Sequence, residues 1–420
     1  MRLELAIHPV THLELGSETM LAGTWLTVGV EEVRRLVLED RRLRDVELAV
    51  ARPGESCRIG VVFDILQPRA KEPGTGVDFP GILGPFARAG EGTTHALAGM
   101  AVTVLDEGAV GFGSNVLDMS GPAAEITPFA SMSHLVIAPH ALQGLERHAY
   151  LNALRLASVK VAVYLARAAI GSERAKTAVY DLGGPDVQGR EGLPRLAYIG
   201  QIHAHQRPAE VDEQILYGSN TRGMMPVLLH PNEWLDGAVV CSYWNMQVET
   251  FYHQNHPVIQ ALYRRHQAGE ITFVGTIATV AAYAEEDRNR TCMMAANLAK
   301  WNLAADGVVL SKYGGGAPHA DMAETARLCE QLGMKTVVAV TDMSGDRRVE
   351  SALLFSYPEV DAIVYIGGGG TQLAVPEVSR VIWGNPEAAA TYAGPQEIEA
   401  RWVCGATNQQ GASRIKAAIY

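Results

Sequence analysis

The spacing of apolar residues gives the chain two textures. Up to about residue 140, short apolar runs alternate with Gly and Pro: residues 3–7, 25–30, 46–51, 59–65, 101–105 and 135–138. Runs of that length bounded by turn residues read as strands. Irregular Gly- and Pro-containing segments at 68–74 and 79–81 lie between them, and loops of this kind within a compact domain are often functional. From 146 to 170 (ERHAYLNALRLASVKVAVYLARAAI) the apolar positions recur at three-and-four spacing, which predicts a long helix closed by Gly171. A polar loop follows at 183–190.

From Pro194 onward the two periods alternate. Strands are expected at 197–202, 227–229, 238–240, 271–275, 307–311, 335–341 and 362–366. Helices are expected at 257–266, over most of 279–303, and at 319–332. Such alternation predicts a parallel or mixed sheet covered by helices on both faces. The expected fold class is therefore α/β: a β-rich N-terminal domain over 1–143, then one or more α/β domains over 144–420. No internal repeat or low-complexity tract interrupts this reading.

Length and composition fit it. The chain has 420 residues, 48% hydrophobic and 19% charged, enough for two or three domains with ample core. The net charge of -11 argues against nucleic acid or an anionic membrane as partner. Five cysteines, Cys57, Cys241, Cys292, Cys329 and Cys404, form no CxxC pair, which points to a reduced, cytoplasmic protein without a disulfide framework or zinc ribbon. The opening MRLELAIHPV is an alternating strand, with neither a signal peptide's apolar core nor a membrane span.

Three places offer chemistry. Glycine-rich turns follow two expected strands, at Gly314-Gly315-Gly316 and at 367–370. Glycine lets backbone approach an anion, and a following helix N-terminus supplies free N–H groups. Neither turn spells a dinucleotide or P-loop signature, and tight turns at sheet ends remain the plain alternative. His203 and His205 lie on one face of a strand as a possible metal pair. His253, Asp212, Glu233 or Asp236 could complete it, but no recognised zinc spacing supports it. The third place is 236–259, DGAVVCSYWNMQVETFYHQNHPVI: a short apolar run delivers Cys241, His253 and His256 follow, and Pro257 opens a helix. On residue types alone Cys241 is either a core thiol or a reactive one.

Several blocks, taken in order, carry a resemblance. They are Ala51-Arg52-Pro53-Gly54-Glu55-Ser56, Asp118-Met119-Ser120-Gly121-Pro122 with Thr127-Pro128-Phe129, Gly144-Leu145-Glu146, Asp236-Gly237-Ala238-Val239-Val240, Tyr252-His253-Gln254-Asn255-His256-Pro257-Val258-Ile259, Ala305-Asp306-Gly307-Val308-Val309, and Gly405-Ala406-Thr407-Asn408. Together they span nearly the whole chain and resemble the proprotein subunit of component B of the glycine, sarcosine and betaine reductases, with D-proline reductase as a relative.

The resemblance implies reductive cleavage of a C–N bond in a small amine. It implies a hetro-oligomer in which a separate, larger subunit of the selenoprotein type carries the selenocysteine. It further implies a backbone cut between Val240 and Cys241, with Cys241 becoming a pyruvoyl group and His253 or His256 assisting as general acid or base. No nucleotide or metal cofactor is expected. Such a cut starts with attack of the thiolate on the Val240 carbonyl and proceeds through a thioester and β-elimination. It needs a strained turn, a base for the thiol and donors for the oxyanion. This sequence departs from the family motif in two places: Val240 stands where the motif has Asn, and Asn245 where it has a second Cys. A binding or scaffolding subunit that has lost the cut, and a metal-dependent hydrolase or lyase built on His203, His205 and His253, stay open as alternatives. Which amine is the substrate stays open too.

Overall fold

The computed structural model describes residues 1–109, 115–183, 192–204, 213–244, 246–342, 358–413 and 418–419. It is a mixed α/β structure with several sheets. In the first half, one four-stranded sheet joins Lys176–Asp181, Arg2–Pro9, Gly92–Ala98 and Arg69–Lys71. A second joins Leu43–Ala51, Ser133–Ala141, Met100–Leu105 and Val62–Leu66.

The long helix expected from its spacing forms over Arg147–Arg167. It is apolar almost all round, and it is buried on most of its surface, packed with Phe63, Val102, Leu135 and Val240 in one core. Of its four basic residues, Arg147, Arg155, Lys160 and Arg167, only Arg155 is fully buried. The strand Val62–Leu66 is likewise buried throughout, with Asp64 as its single charge.

The second half is built on five parallel strands: β1 (Arg195–Ala204), β2 (Thr272–Ala281), β3 (Gly307–Ser311), β4 (Lys335–Asp342) and β5 (Ala362–Gly368). Their spatial order is β2-β1-β3-β4-β5, with Val227–Leu229 and Ala418–Ile419 antiparallel on the two edges. Successive side chains of β1 enter different cores, as the period of two requires. Tyr198 and Ile202 pack with Ile259 and Tyr263 of the helix Pro257–Gln267. Ala197 and Ile199 pack with Ala295 of Glu285–Asn297 and Met322 of Ala317–Gln331. The sheet is therefore covered on both faces. Between β1 and β3 the strand order reverses, and in such sheets that crevice at the carboxyl ends is where ligands bind.

The two halves are interlaced across residue 143. Lys176–Asp181 pairs with Arg2–Pro9, and Arg380–Trp383 runs parallel to Cys57–Gly60.

Two local expectations need correction. The strand expected at 271–275 runs on as β2 to Ala281, so the helix that does fill most of 279–303 begins only at Glu285. The β-branched run Thr272–Ala281 is paired on both sides, with β1 and with Val227–Leu229, and pairing with β1 carries it past the point where helical spacing could start. Residues 238–240 form only an isolated bridge, Val239 to Leu216, because Gly237 at φ 88° breaks the extended backbone just before them. Among the described residues no helix is long and apolar enough to cross a membrane.

Candidate functional site

The strand Val62–Leu66, the helix Arg147–Arg167 and the short helix Thr250–Gln254 bring Asp64, Arg155 and Thr250 together around Cys241, which lies outside any helix or strand. Asp64 and Arg155 are both fully buried and form an ion pair at 2.5 Å. Arg155 Nη2 donates to the Cys241 carbonyl at 2.5 Å and contacts its Sγ at 3.0 Å. The Cys241 N–H donates to Thr250 Oγ1 at 3.0 Å, and that hydroxyl donates to Asp64 at 2.6 Å. Asp64 also accepts from the backbone N–H groups of Thr250 and Ile65, at 2.9 and 2.8 Å. The peptide entering the cysteine is fixed as well, by a Val240 N–H bond to the Ile215 carbonyl at 3.0 Å.

The sulfur is therefore buried, but against a guanidinium, and not in hydrocarbon. Burial pushes the thiol pKa well up, and Arg155 offsets only part of that rise. Burial works against the Arg155 charge too, but Cys241 and Asp64 more than reverse it and raise its pKa. A thiol in this setting is protonated at rest and has a cation ready for the thiolate.

The histidines of the segment lie apart from this knot. His253 is buried, its Nδ1 bonded to the Gln410 side-chain amide at 2.9 Å, and its Nε2 has no hydrogen-bond partner among the described residues. Burial, aided by Arg155, holds it down to about 3. His256 caps the helix Pro257–Gln267, accepting from the Ile259 N–H, and its Nε2 meets Tyr198 at 2.9 Å. Burial, then His253, keeps it well below its ordinary range. Both rings are neutral at physiological pH. No hydrogen bond between either ring and Cys241 is found among the described residues. Glu249, beside Thr250, is buried with neither carboxyl oxygen hydrogen-bonded among the described residues, and burial pushes it up to about 8.

His205, Asp212 and Asn245 lie outside the described residues. Glu233 belongs to the capping box of Pro231–Leu235, and Asp236 is paired with Lys71. No group of three or more His, Cys, Asp or Glu is placed to hold a metal ion among the described residues. The Gly314 turn lies at the β1/β3 crevice. Its neighbour Tyr313 meets Ser242, the residue after Cys241, at 2.5 Å. The C-terminal block holds the same segment from the other side, with Thr407 bonded to the Gln247 side chain at 2.7 Å and Asn408 to the Gln247 carbonyl at 2.9 Å.

Asp64, Arg155 and Thr250 were not singled out by the sequence reading. A signal for two of them was present: Asp64 is the lone charge of an apolar strand, and Arg155 stands between Leu154 and Leu156 in a mostly apolar helix, and a charge so placed needs a partner.

The comparisons with known proteins agree with one another. The sarcosine reductase complex component B subunit alpha of Peptoclostridium acidaminophilum is 31% identical over 432 residues, covering all of both chains. The glycine reductase complex component B subunits alpha and beta of Acetoanaerobium sticklandii are 29% identical over 434 residues, again covering both in full. The betaine reductase complex component B subunit alpha of Peptoclostridium acidaminophilum is 29% identical over 401 residues, 93% of this chain and 89% of the relative. No solved structure matches the chain. The family profile described as glycine/sarcosine/betaine reductase component B subunits matches residues 1–416, and the chain belongs to that family.

Proposed function

We propose that this chain is the amine-handling subunit of a reductase complex that cleaves a C–N bond reductively, and that it matures by opening its own backbone between Val240 and Cys241. The observation that carries the reading is the Asp64–Thr250–Arg155 cluster closed around Cys241. Its working partner would be the larger, selenoprotein-type subunit of such a complex.

The cluster meets two needs of an N-to-S acyl shift, an acceptor for the thiol proton and a cation for the thiolate, while no hydrogen-bond donor to the Val240 carbonyl is found among the described residues. Asp64 faces both the thiol and the Thr250 hydroxyl, so the thiol proton has a carboxylate to go to. Arg155 holds the sulfur as its charge develops. The nitrogen that must leave Val240 is the one bonded to Thr250, so the proton it needs arrives through that hydroxyl. The sulfur takes the acyl group from nitrogen, and the thiol proton ends on that nitrogen. Loss of the Cα proton to a base then expels the thiocarboxylate from Cβ; the enamine left behind takes up a proton at Cβ, and water adds to the resulting imine and releases the amino nitrogen as ammonia.

A pyruvoyl group at residue 241 suits the surroundings. Arg155 would hold the carbonyl it now holds, and Thr250 would stand beside the atom that replaces the nitrogen. When present, that group supplies an electron-withdrawing ketone next to the bound amine. The protein groups fix its orientation and, with the site fully buried, exclude water.

Intact mass of the purified chain under denaturing conditions tests the cut. Two fragments are expected, the C-terminal one trappable by hydroxylamine at residue 241, while Cys241→Ala stays whole. One full-length species with an unmodified Cys241 would end the pyruvoyl reading.

A second reading has its own support. Val240 is apolar, wholly buried and part of the core around Arg147–Arg167, where the family motif carries Asn. The sarcosine and betaine relatives are named as a subunit alpha, the glycine relatives as subunits alpha and beta. An uncut chain would serve as a binding or scaffolding subunit, and a Cys241→Ala protein that keeps the complex fully active would establish it.

A further inference from the structure

The crevice between β1 and β3 holds a buried cation that no function above uses. Lys312 follows β3 and is 2% exposed. Among the described residues its ammonium has two acceptors, both neutral: the Gly314 carbonyl at 2.6 Å and the Gln409 side-chain oxygen at 3.2 Å. Burial alone lowers its pKa, to about 8, with no carboxylate countering it among the described residues. Buried charges are normally paired.

The second acceptor is informative. Gln409 Oε1 also takes the Gly314 N–H at 2.9 Å, so an ammonium and a backbone donor converge on one oxygen. The nitrogen of the same amide donates to the Met246 carbonyl at 2.8 Å. The cradle thus offers positive charge and N–H to an oxygen, and a carbonyl to an N–H two bonds further on. A side-chain amide fills it with the right shape and no charge. Gly314 and Gly316 both have positive φ, at 81° and 72°, which lets the loop curl over the ammonium. Beside them, a side chain added at Gly315 would meet nothing within 4 Å.

We propose that Lys312, the Gly314 N–H and the Met246 carbonyl form a binding site for a small amino acid. Its carboxylate would take the place of the Gln409 oxygen, and its N–H, one bond further from that oxygen than in the amide, would turn to the Met246 carbonyl that the Gln409 nitrogen now meets. Gln409 is then a built-in plug that the ligand displaces. The plug is tied to the reacting segment: Gln409 holds Met246, and its neighbour Gln410 holds His253. Occupation of the cradle would release the stretch between Cys241 and His253 from one of its anchors. This inference rests on the proposed amine-handling role only for the choice of probes.

Calorimetric titration tests it with glycine, acetate and betaine, on the wild-type chain and on a Cys241→Ala background that cannot be cut. Binding on that background is independent of maturation, so failure of either idea leaves the other readable. Glycine should bind saturably. Gln409→Ala should tighten it at least about tenfold by removing the competitor. Lys312→Met should weaken it beyond detection. Betaine, which has no N–H, and acetate, which has no nitrogen, should each bind at least about tenfold more weakly than glycine. Should Lys312→Met fail to fold, the Gln409→Ala effect and the glycine-to-betaine ratio decide the matter. Glycine affinity unchanged by Gln409→Ala, or betaine bound as tightly as glycine, overturns the proposal.

Discussion

Among the described residues two arginine–aspartate pairs are fully buried, and they differ in how fully they are satisfied. Arg58 meets both oxygens of Asp118 at 2.8 and 2.9 Å, and its remaining donors reach the backbone carbonyls of Tyr392, Gly394 and Pro376. That pair ties the first half of the chain to the segment after β5. Arg155 is buried as deeply, yet it spends one nitrogen on Asp64 and another on the carbonyl and sulfur of Cys241, and its Nε–H has no hydrogen-bond partner among the described residues. A buried cation whose bonds are complete is a clamp. One left incomplete beside a thiol is a site, because its charge can still be given to something that forms later.

The sharpest way to break this comparison is to remove each arginine. Arg58→Met and Arg155→Met each strand a buried carboxylate and should cost about 3–5 kcal/mol in denaturant titrations. Only the second should stop the cut: the folded fraction of Arg58→Met is expected to yield both fragments, and that of Arg155→Met none. Asp64→Asn, nearly isosteric, should slow maturation at least about 100-fold by time-resolved intact mass. If it matures at the wild-type rate, the two pairs are alike.

Next in size is a pH effect. Glu249 has its pKa raised in the folded chain by burial, with Asp64 adding to the rise. The native state keeps the proton through the range in which the unfolded chain loses it. Stability from this group is therefore full below the ordinary carboxylate pKa and is lost as pH climbs towards about 8, by an amount on the order of a few kcal/mol. Glu249→Gln should flatten that decline in thermal melts taken between these limits. An unchanged slope would mean the carboxyl is not the titrating group.

The smallest effect is expected at Thr250. Thr250→Val removes the hydroxyl between the Cys241 N–H and Asp64. It should cost about 1–3 kcal/mol and slow the cut about tenfold to a hundredfold. A rate change without a stability change would place Thr250 on the reaction path and remove it from the clamp.

Much of this was legible before any coordinates. The helix Arg147–Arg167 follows from its apolar spacing, and β3 at Gly307–Ser311 from its flanking turns. Cys241 was found through the ordered resemblance, since one thiol after three apolar residues is no signal by itself. Asp64 and Arg155 escaped because local patterns report burial, not contact: 91 residues separate them, and Thr250 lies 186 from Asp64. A charge inside an apolar helix says that a partner exists and nothing of where it is. The start of the helix at Glu285 was missed for a related reason, since pairing of Thr272–Ala281 with a strand far earlier in the chain overrides the local period.

The order of the strands has a consequence for any nicked form of the protein. Opening the peptide ahead of residue 241 leaves β1 on one fragment, held between β2 and β3 of the other. The second fragment in turn lends Arg380–Trp383 to a sheet of the first. Neither piece can depart without tearing hydrogen-bonded strands from both. The halves would therefore travel together through gel filtration at the mass of the intact chain, and only denaturant would part them.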